Sequence, residues 1–521
     1  MKKIIVWALP FLMGSVCQAE DITVHYNGST AKVEQKAKDS VTVKVNGANV
    51  NIDSKYTAHK LSVRVTGKSD DGQLILKTAG KAKVTLDKLN LTSQEGAPLD
   101  LRNKKKVEVV VADGTENTLT ITACNDTANN KAATIWAKDK LLLSGKGTLN
   151  IIATGDGCRG IKTKKDITIE DLTLNVTTSG NHLGEKAFGF GGGFPGGGEM
   201  PDFGNFQMPE GGFPNFGGGF PGFERNDSTQ RGGFGGGFPG FGGGMPNFGE
   251  GGMPDFGGGF GGFGGFGGPN EEGDDDEEGG GMGFGGKRKY VASTKGIASK
   301  GKITINSGKV TVKTSTAGAE GIEGKEGVVI NGGTVDVLSP DDAINANATI
   351  EFNGGTVIAR SKGNDAVDSN PQGGFFMPFG GNNNQENADT AIIVRGGTVY
   401  AWSQAGSPEE GLDCDFASIV VEGGTIFSVG GGMGEMPSVP TNASAKQATA
   451  LLIGLNVTKE EPIQIYDSNN KLIETVTIPF SLRRSASLVT TPAFKVGNTY
   501  TVKTKGYEKT FTLNENFTAV R

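Results

Sequence analysis

A phrase of alternating apolar residues, a glycine pair, a threonine and more alternation recurs at Val328 to Val337, Ile350 to Ala359, Ile392 to Ala401 and Ile419 to Val429. Degenerate copies lie at Leu141 to Ile151, Ile167 to Val176 and Ile303 to Val312, and a weaker one at Val84 to Leu91. Measured from the residue after the glycine step, Thr148 to Thr173 is 25 residues, Lys309 to Thr334 is 25, Thr334 to Thr356 is 22 and Thr398 to Thr425 is 27. A period this short is one coil of a parallel β-solenoid, not a domain. Each copy is rich in β-branched residues at a spacing of two, and helical periodicity is absent. One coil cannot bury its own inner face. Stacking at about 4.8 Å pairs each strand with the next and joins the apolar faces into one core. The expected fold is therefore all-β, a right-handed parallel β-helix of on the order of ten coils.

The repeat is interrupted once on a large scale. Residues 188 to 286 hold 42 of the 86 Gly, 18 of the 29 Phe and 9 of the 20 Pro, with 14 acidic and two basic side chains. So little aliphatic content cannot offset the entropy of folding, and the segment is expected to be a disordered insertion. A smaller insertion of similar flavour runs from Pro371 to Asn387. Residues 1–19 read as a signal peptide: Lys2 and Lys3, an apolar run from Ile4 to Met13, then Val16-Cys17-Gln18-Ala19 as cleavage site. Cys17 as a lipid-anchor cysteine is the alternative. Residues 20–60 form an N-terminal β segment or cap, 61–187 the first part of the β-helix, 287–432 the second part, and 433–521 a C-terminal β module able to close the exposed end.

The acidic insertion carries a charge of −12, against −6 for the whole chain. No strongly basic face remains, which excludes a duplex-binding protein. No later window reaches the run of about 20 apolar residues needed for a transmembrane segment, so a secreted or cell-surface protein is expected. Cleavage would leave Cys124, Cys158 and Cys414, an odd, scattered set that makes no disulfide framework. Nothing in the sequence fixes an oligomeric state.

Aligning the coils exposes a second periodic phrase: acid, small residue, aliphatic, acid or amide. It reads Glu320-Gly321-Ile322-Glu323, Asp342-Ala343-Ile344-Asn345, Asp365-Ala366-Val367-Asp368 and Glu410-Gly411-Leu412-Asp413, and two residues later come Asn347, Asn370 and Asp415. In a solenoid these side chains form ladders of like charge, which repel unless neutralised. Ca²⁺, which takes six to eight oxygens at about 2.3 to 2.6 Å, is the natural neutraliser. Glu320, Glu323, Asp342, Asn345, Asp365, Asp368, Glu410, Asp413 and Asp415 are therefore the candidate metal ligands. The plain alternative is that turn carboxylates and amides satisfy local backbone groups. Transition metals are disfavoured, since His25, His59 and His182 form no cluster. In the two coils before the acidic ones the same positions read Arg159-Gly160-Ile161-Lys162 and Lys295-Gly296-Ile297-Ala298. Arg159, Lys162 and Lys295 are candidate substrate-binding residues beside the calcium column, where a cation pairs with a uronate carboxylate; the plain alternative is solvated cations at turns.

Ile-Asn-Gly-Gly-Thr-Val (330 to 335), Ser-Pro-Asp-Asp-Ala-Ile (339 to 344), Gly-Asn-Asp-Ala-Val-Asp-Ser-Asn (363 to 370) and Lys-Val-Gly-Asn-Thr-Tyr-Thr-Val (495 to 502) resemble a family of secreted carbohydrate-binding domain-containing proteins. These are calcium-binding parallel β-helix proteins with a pectate-lyase-like fold that bind polygalacturonate and cellulose. The resemblance covers roughly residues 80 to 515 and implies a calcium-containing polysaccharide-binding protein without demonstrated lytic activity. Other functions stay open. A polysaccharide lyase would use calcium and a Lys or Arg base, with Arg159, Lys162 and Lys295 as candidates. A glycoside hydrolase would use paired carboxylates such as Glu320, Glu323, Asp341 and Asp342, although the Gly-His-Gly and Arg-Ile-Lys phrases of polygalacturonases are missing. An adhesive surface protein would self-associate through the Gly/Phe segment.

Overall fold

The computed structural model describes residues 20–36, 40–125, 131–183, 292–370, 391–414, 419–431 and 437–521. The expected signal peptide, both insertions and Asp415 lie outside these residues. All the described residues belong to one unit of the chain, and among them every regular element is a strand.

The repeating element is a triplet of strands. Ile322–Gly324, Val328–Ile330 and Thr334–Ser339 form one triplet, and Ile344–Ala346, Ile350–Phe352 and Thr356–Ser361 form the next. Successive triplets pair parallel and in register, Ile322 with Ile344, Val328 with Ile350 and Thr334 with Thr356. The same relation runs from Ala133–Ala137 through to Thr425–Val429. Alternation decides which side faces in: in Val328–Ile330 the outer two residues are buried and the middle one is not. The long parallel sheets that result are what the 22- to 27-residue period called for, and one apolar cluster runs through them from Ile22 to Leu488.

Glycine has a specific task at the bend. Gly333, Gly355, Gly397 and Gly424 stack on one another with φ of 81°, 79°, 76° and 90°. A Cβ at Gly355 would sit 2.5 Å from the carbonyl oxygen of Gly333, and one at Gly397 would sit 2.5 Å from that of Gly355. Positive φ and close backbone approach both exclude a side chain. Beside this row, Asn331 Nδ2 donates to Asn306 Oδ1 at 2.9 Å and Asn353 Nδ2 to Asn331 Oδ1 at 2.8 Å, so neighbouring coils are also tied on the outside.

The stack continues across both sequence interruptions. Ile297–Ser299 pairs with Arg159–Thr163, Ile161 opposite Ile297, although residues 184–291 lie between them in sequence. Ile392–Val394 likewise pairs with Ile350–Phe352 across residues 371–390. The parallel pairing is thus unbroken across both interruptions.

Both ends are closed by antiparallel structure. Ile22–Asn27 pairs with Thr30–Gln35, and Val41–Asn46 with Asn49–Ser54. At the other end Leu482–Thr490 runs antiparallel to both Thr425–Val429 and Thr449–Val457. A separate four-stranded antiparallel sheet joins Leu472–Thr477, Pro462–Asp467, Thr499–Thr504 and Tyr507–Thr512. Changing strand direction removes the parallel edge on which another chain could grow. Trp136 and Trp402 are buried and Tyr400 is half-buried; in Thr398–Ser403 it is Val399 and Ala401 that take the solenoid core, while Tyr400 and Trp402 lie on the other side and pack with Phe427, Val429 and Leu452.

Candidate metal centre

The acid-bearing phrases lie on the first strand of each triplet. Ile161, Ile297, Ile322, Ile344, Val367 and Leu412 stack in register and point into the core. The following residue therefore forms a row, Lys162, Ala298, Glu323, Asn345, Asp368 and Asp413. Backbone bonds extend the register on the other side: Gly160 N donates to Lys295 O, Gly296 N to Glu320 O, Gly321 N to Asp342 O and Ala366 N to Glu410 O. Arg159, Lys295, Glu320, Asp342, Asp365 and Glu410 thus form a second row. The alignment drawn from the sequence is the alignment in space.

These side chains lie mostly beneath the surface. Arg159, Lys162, Lys295, Glu323, Asp342, Asp365, Asp368 and Glu410 are all buried. A buried charge must be paired, hydrogen-bonded or neutralised, and the rows divide into three parts by how this is achieved.

At the N-terminal side, cations from one coil meet anions from the next. Lys295 Nζ lies 3.1 Å from Glu320 Oε2 and 2.7 Å from Glu323 Oε2, and Lys325 pairs with Glu323 from the other side. Arg159 donates through Nε to Ser293 O at 3.0 Å and through Nη2 to Ser293 Oγ at 2.8 Å. At the C-terminal side, Ser438 caps the acids: its backbone N–H donates to Glu410 Oε2 at 2.7 Å and its hydroxyl to Asp413 Oδ1 at 2.8 Å.

Between these parts, Asp342, Asp365 and Asp368 converge, each offering one oxygen within 4.8 Å of the other two. Among the described residues this is the group of three or more acidic, His or Cys side chains placed to hold an ion. Amides partly meet the demand for donors. Asn345 Nδ2 bonds to Asp342 Oδ2 at 2.8 Å and to Asp368 Oδ2 at 3.3 Å, and Asn370 Nδ2 bonds to Asp368 Oδ2 at 2.6 Å. The backbone N–H of Glu410 donates to Asp365 Oδ1. Asp342 Oδ1 and Asn370 Oδ1 remain buried with no hydrogen-bond partner.

The electrostatic result is a site hungry for positive charge. Burial, followed by the charges of Asp368, Asp341, Glu320 and Asp365, holds the Asp342 carboxyl well above the usual range. Burial is also the main cause for Asp365, with Asp413 adding to it and the Glu410 N–H opposing it, and the group is pushed up to about 9. A hard cation would remove this penalty. The donors are carboxylate and amide oxygens with no His or Cys among them, which fits Ca²⁺ and disfavours soft metals. Oxygens on opposite sides of a calcium ion stand about 5 Å apart, so a spread within 4.8 Å fits a shared ion.

The neutralising partners were only partly visible in the sequence. Lys325 follows Glu323 by two positions, the spacing that puts two strand residues on one side. Ser438 lies after the last repeat, and no periodic signal marks it.

A family model for carbohydrate-binding domain-containing proteins matches residues 46–187 and 268–366. A protein of Acetivibrio thermocellus described as carbohydrate-binding domain-containing is 30% identical over 117 residues, which is 21% of this chain and 40% of that relative. The match thus spans less than half of the relative. A solved structure of a polysaccharide lyase-like protein from C. thermocellum, a gadolinium derivative, aligns with a TM-score of 0.38 and 16% identity, covering 68% of this chain and 95% of that one. The chain is similar to the carbohydrate-binding domain family on both sides of its long insertion. Among the described residues no helix is long and apolar enough to cross a membrane.

Proposed function

We propose that this chain is an exported polysaccharide-binding protein, built as a right-handed parallel β-helix in which Ca²⁺ bridges adjacent coils through Asp342, Asp365 and Asp368. Asn345 and Asn370 complete the oxygen set, Asn345 by turning its amide so that the carbonyl faces the ion. Acidic glycans such as polygalacturonate are the substrate class. The family likeness supports the polysaccharide, and its match reaches Asp342 and Asp365 but ends before Asp368.

The observation that carries the calcium reading is the convergence of three buried carboxylates from successive coils, with one Asp342 oxygen left unpartnered. Glu320 and Glu323 neutralise Lys295 in this reading, and Glu410 and Asp413 border the site through Ser438. Lys295 acts on the glycan indirectly, by holding the coil of Glu320 and Glu323 beneath the ion, and the buried Arg159 and Lys162 lie further along the stack.

Retention on insoluble polygalacturonate and on cellulose, with calcium and then with chelator, tests the proposal. Retention on polygalacturonate with calcium that is lost on chelation is expected. No retention on either polysaccharide contradicts it, and the appearance of unsaturated, ultraviolet-absorbing ends would make the protein a lyase.

A further inference from the structure

Two cysteines that look scattered in the sequence, Cys124 and Cys158, meet at one corner of the stack. Cys124 follows strand Glu116–Ile121 and Cys158 follows strand Thr148–Ala153, and these strands are parallel neighbours with Ile121 opposite Ala153. The stacking persists beyond the strand ends, because Thr154 N and Gly155 N both donate to Ile121 O. Cys158 forms a small buried cluster with Ile121, Ala132 and Ala153, and Cys124 packs against that cluster. Cys158 is fully buried and Cys124 partly exposed. Gly155 makes room for the sulfur, since a Cβ there would stand 2.9 Å from Cys158 Sγ. Burial, and then the neighbouring Cys124, push the Cys158 thiol up to about 12. The two cysteines lie on adjacent rungs, which stack at about 4.8 Å, and Cys158 stands two positions beyond the residue that the strand register sets opposite Cys124, within the range of a disulfide, which spans roughly 4.4–6.8 Å between Cα atoms once the turn brings the two together.

We propose that Cys124 and Cys158 are a modification site, joining as one disulfide that staples two successive coils when the chain meets a disulfide-bearing oxidant. Cys124, the more accessible, attacks the oxidant as thiolate, forming a mixed disulfide and releasing one oxidant thiol. Cys158 then displaces the second oxidant thiol, giving up its proton as the new S–S bond forms. Two protein thiols are oxidised and one small-molecule disulfide is reduced to two thiols, so electrons and protons balance. The deeply buried Cys158 is a poor nucleophile alone, which assigns the first step to Cys124. The inference is independent of the polysaccharide reading.

The test equilibrates the full chain, purified under reducing conditions, with oxidised glutathione, then unfolds it in an alkylating agent and maps the peptides. A linked Cys124–Cys158 pair with Cys414 alkylated is expected, together with a melting temperature higher by about a few degrees than that of the reduced protein. The Cys158→Ser variant should lose both effects. The double variant Cys124→Ser/Cys158→Ser, expected to melt like the reduced native chain, establishes that loss of the bond and not misfolding is being read. Alkylation of both Cys124 and Cys158 in the oxidised sample once unfolded, or a lasting glutathione adduct on Cys124, would overturn the proposal.

Discussion

A carboxylate oxygen of Asp342 lies within 4.8 Å of one from Asp365 in the next coil, both residues are buried, and Asp368 brings a third oxygen within the same distance. Register produces this relationship. Once Ile344 stacks on Val367, the residues on either side of that core position must stack as well. A repeat that places an acid there in consecutive coils concentrates charge where water cannot screen it. Elsewhere in the rows a lysine or a serine answers the charge, and in these two coils the answer is incomplete.

Stripped of calcium, the protein should lose stability as pH rises. The folded state keeps a proton on Asp365 up to about pH 9, whereas an ordinary aspartate releases it near 3.8. Between these values the folded state binds more protons than the unfolded state, so the unfolding free energy falls with pH across that window. Asp342, also raised, adds to the same slope. Thermal melting in chelator should therefore decline from pH 4 toward 9, and millimolar calcium should flatten the curve. A chelated protein that grows more stable over that range would contradict the account.

Lys295 is expected to matter as a structural ion. It is buried and lies between Glu320 and Glu323. Lys295→Met leaves two carboxylates short of a partner and should cost about 3–5 kcal/mol, read by urea unfolding. Replacing Glu323 by Gln in the same chain should recover part of the loss. An unchanged midpoint in the single variant would show that the pair carries no stability.

How much was legible follows from which interactions repeat. The all-β, parallel architecture was readable because Gly-Gly-Thr recurs at coil length, and the rows because Ile322, Ile344, Val367 and Leu412 mark one core position. The insertions were readable too, as breaks in a period that resumes at Ile303 and Ile392. Periodicity does not reveal depth. Both sides of strands such as Arg159–Thr163 are covered, so Arg159, Lys162 and Lys295, candidates for substrate binding by sequence, are buried. Nor does it reveal a neutraliser that occurs once: Ser438 reaches Glu410 and Asp413 from outside the repeat. The antiparallel closure by Leu482–Thr490 depends on contacts distant in sequence, which local pattern does not encode.

The stacked glycines give a test of the coil geometry. Gly355 has φ of 79°, and a Cβ there would meet the Gly333 carbonyl oxygen at 2.5 Å. Gly355→Ala combines an unfavourable left-handed conformation with a backbone clash that no side-chain rotation relieves, so a loss of at least about 1–3 kcal/mol is expected by denaturant unfolding. At Gly497, also at positive φ but with open space around it, only the conformational cost should appear. Equal losses at both sites would show that the close approach between coils contributes nothing.

The central claim is that a cation joins the coils of Asp342 and Asp365, and calcium stoichiometry measured by mass spectrometry tests it most directly. Protein stripped with chelator and re-equilibrated in calcium should retain about one ion per chain at this site, and Asp342→Asn/Asp365→Asn should lose it while keeping its strand content. A native chain that stays metal-free in millimolar calcium, or a double variant that binds as much as the native chain, would contradict the account.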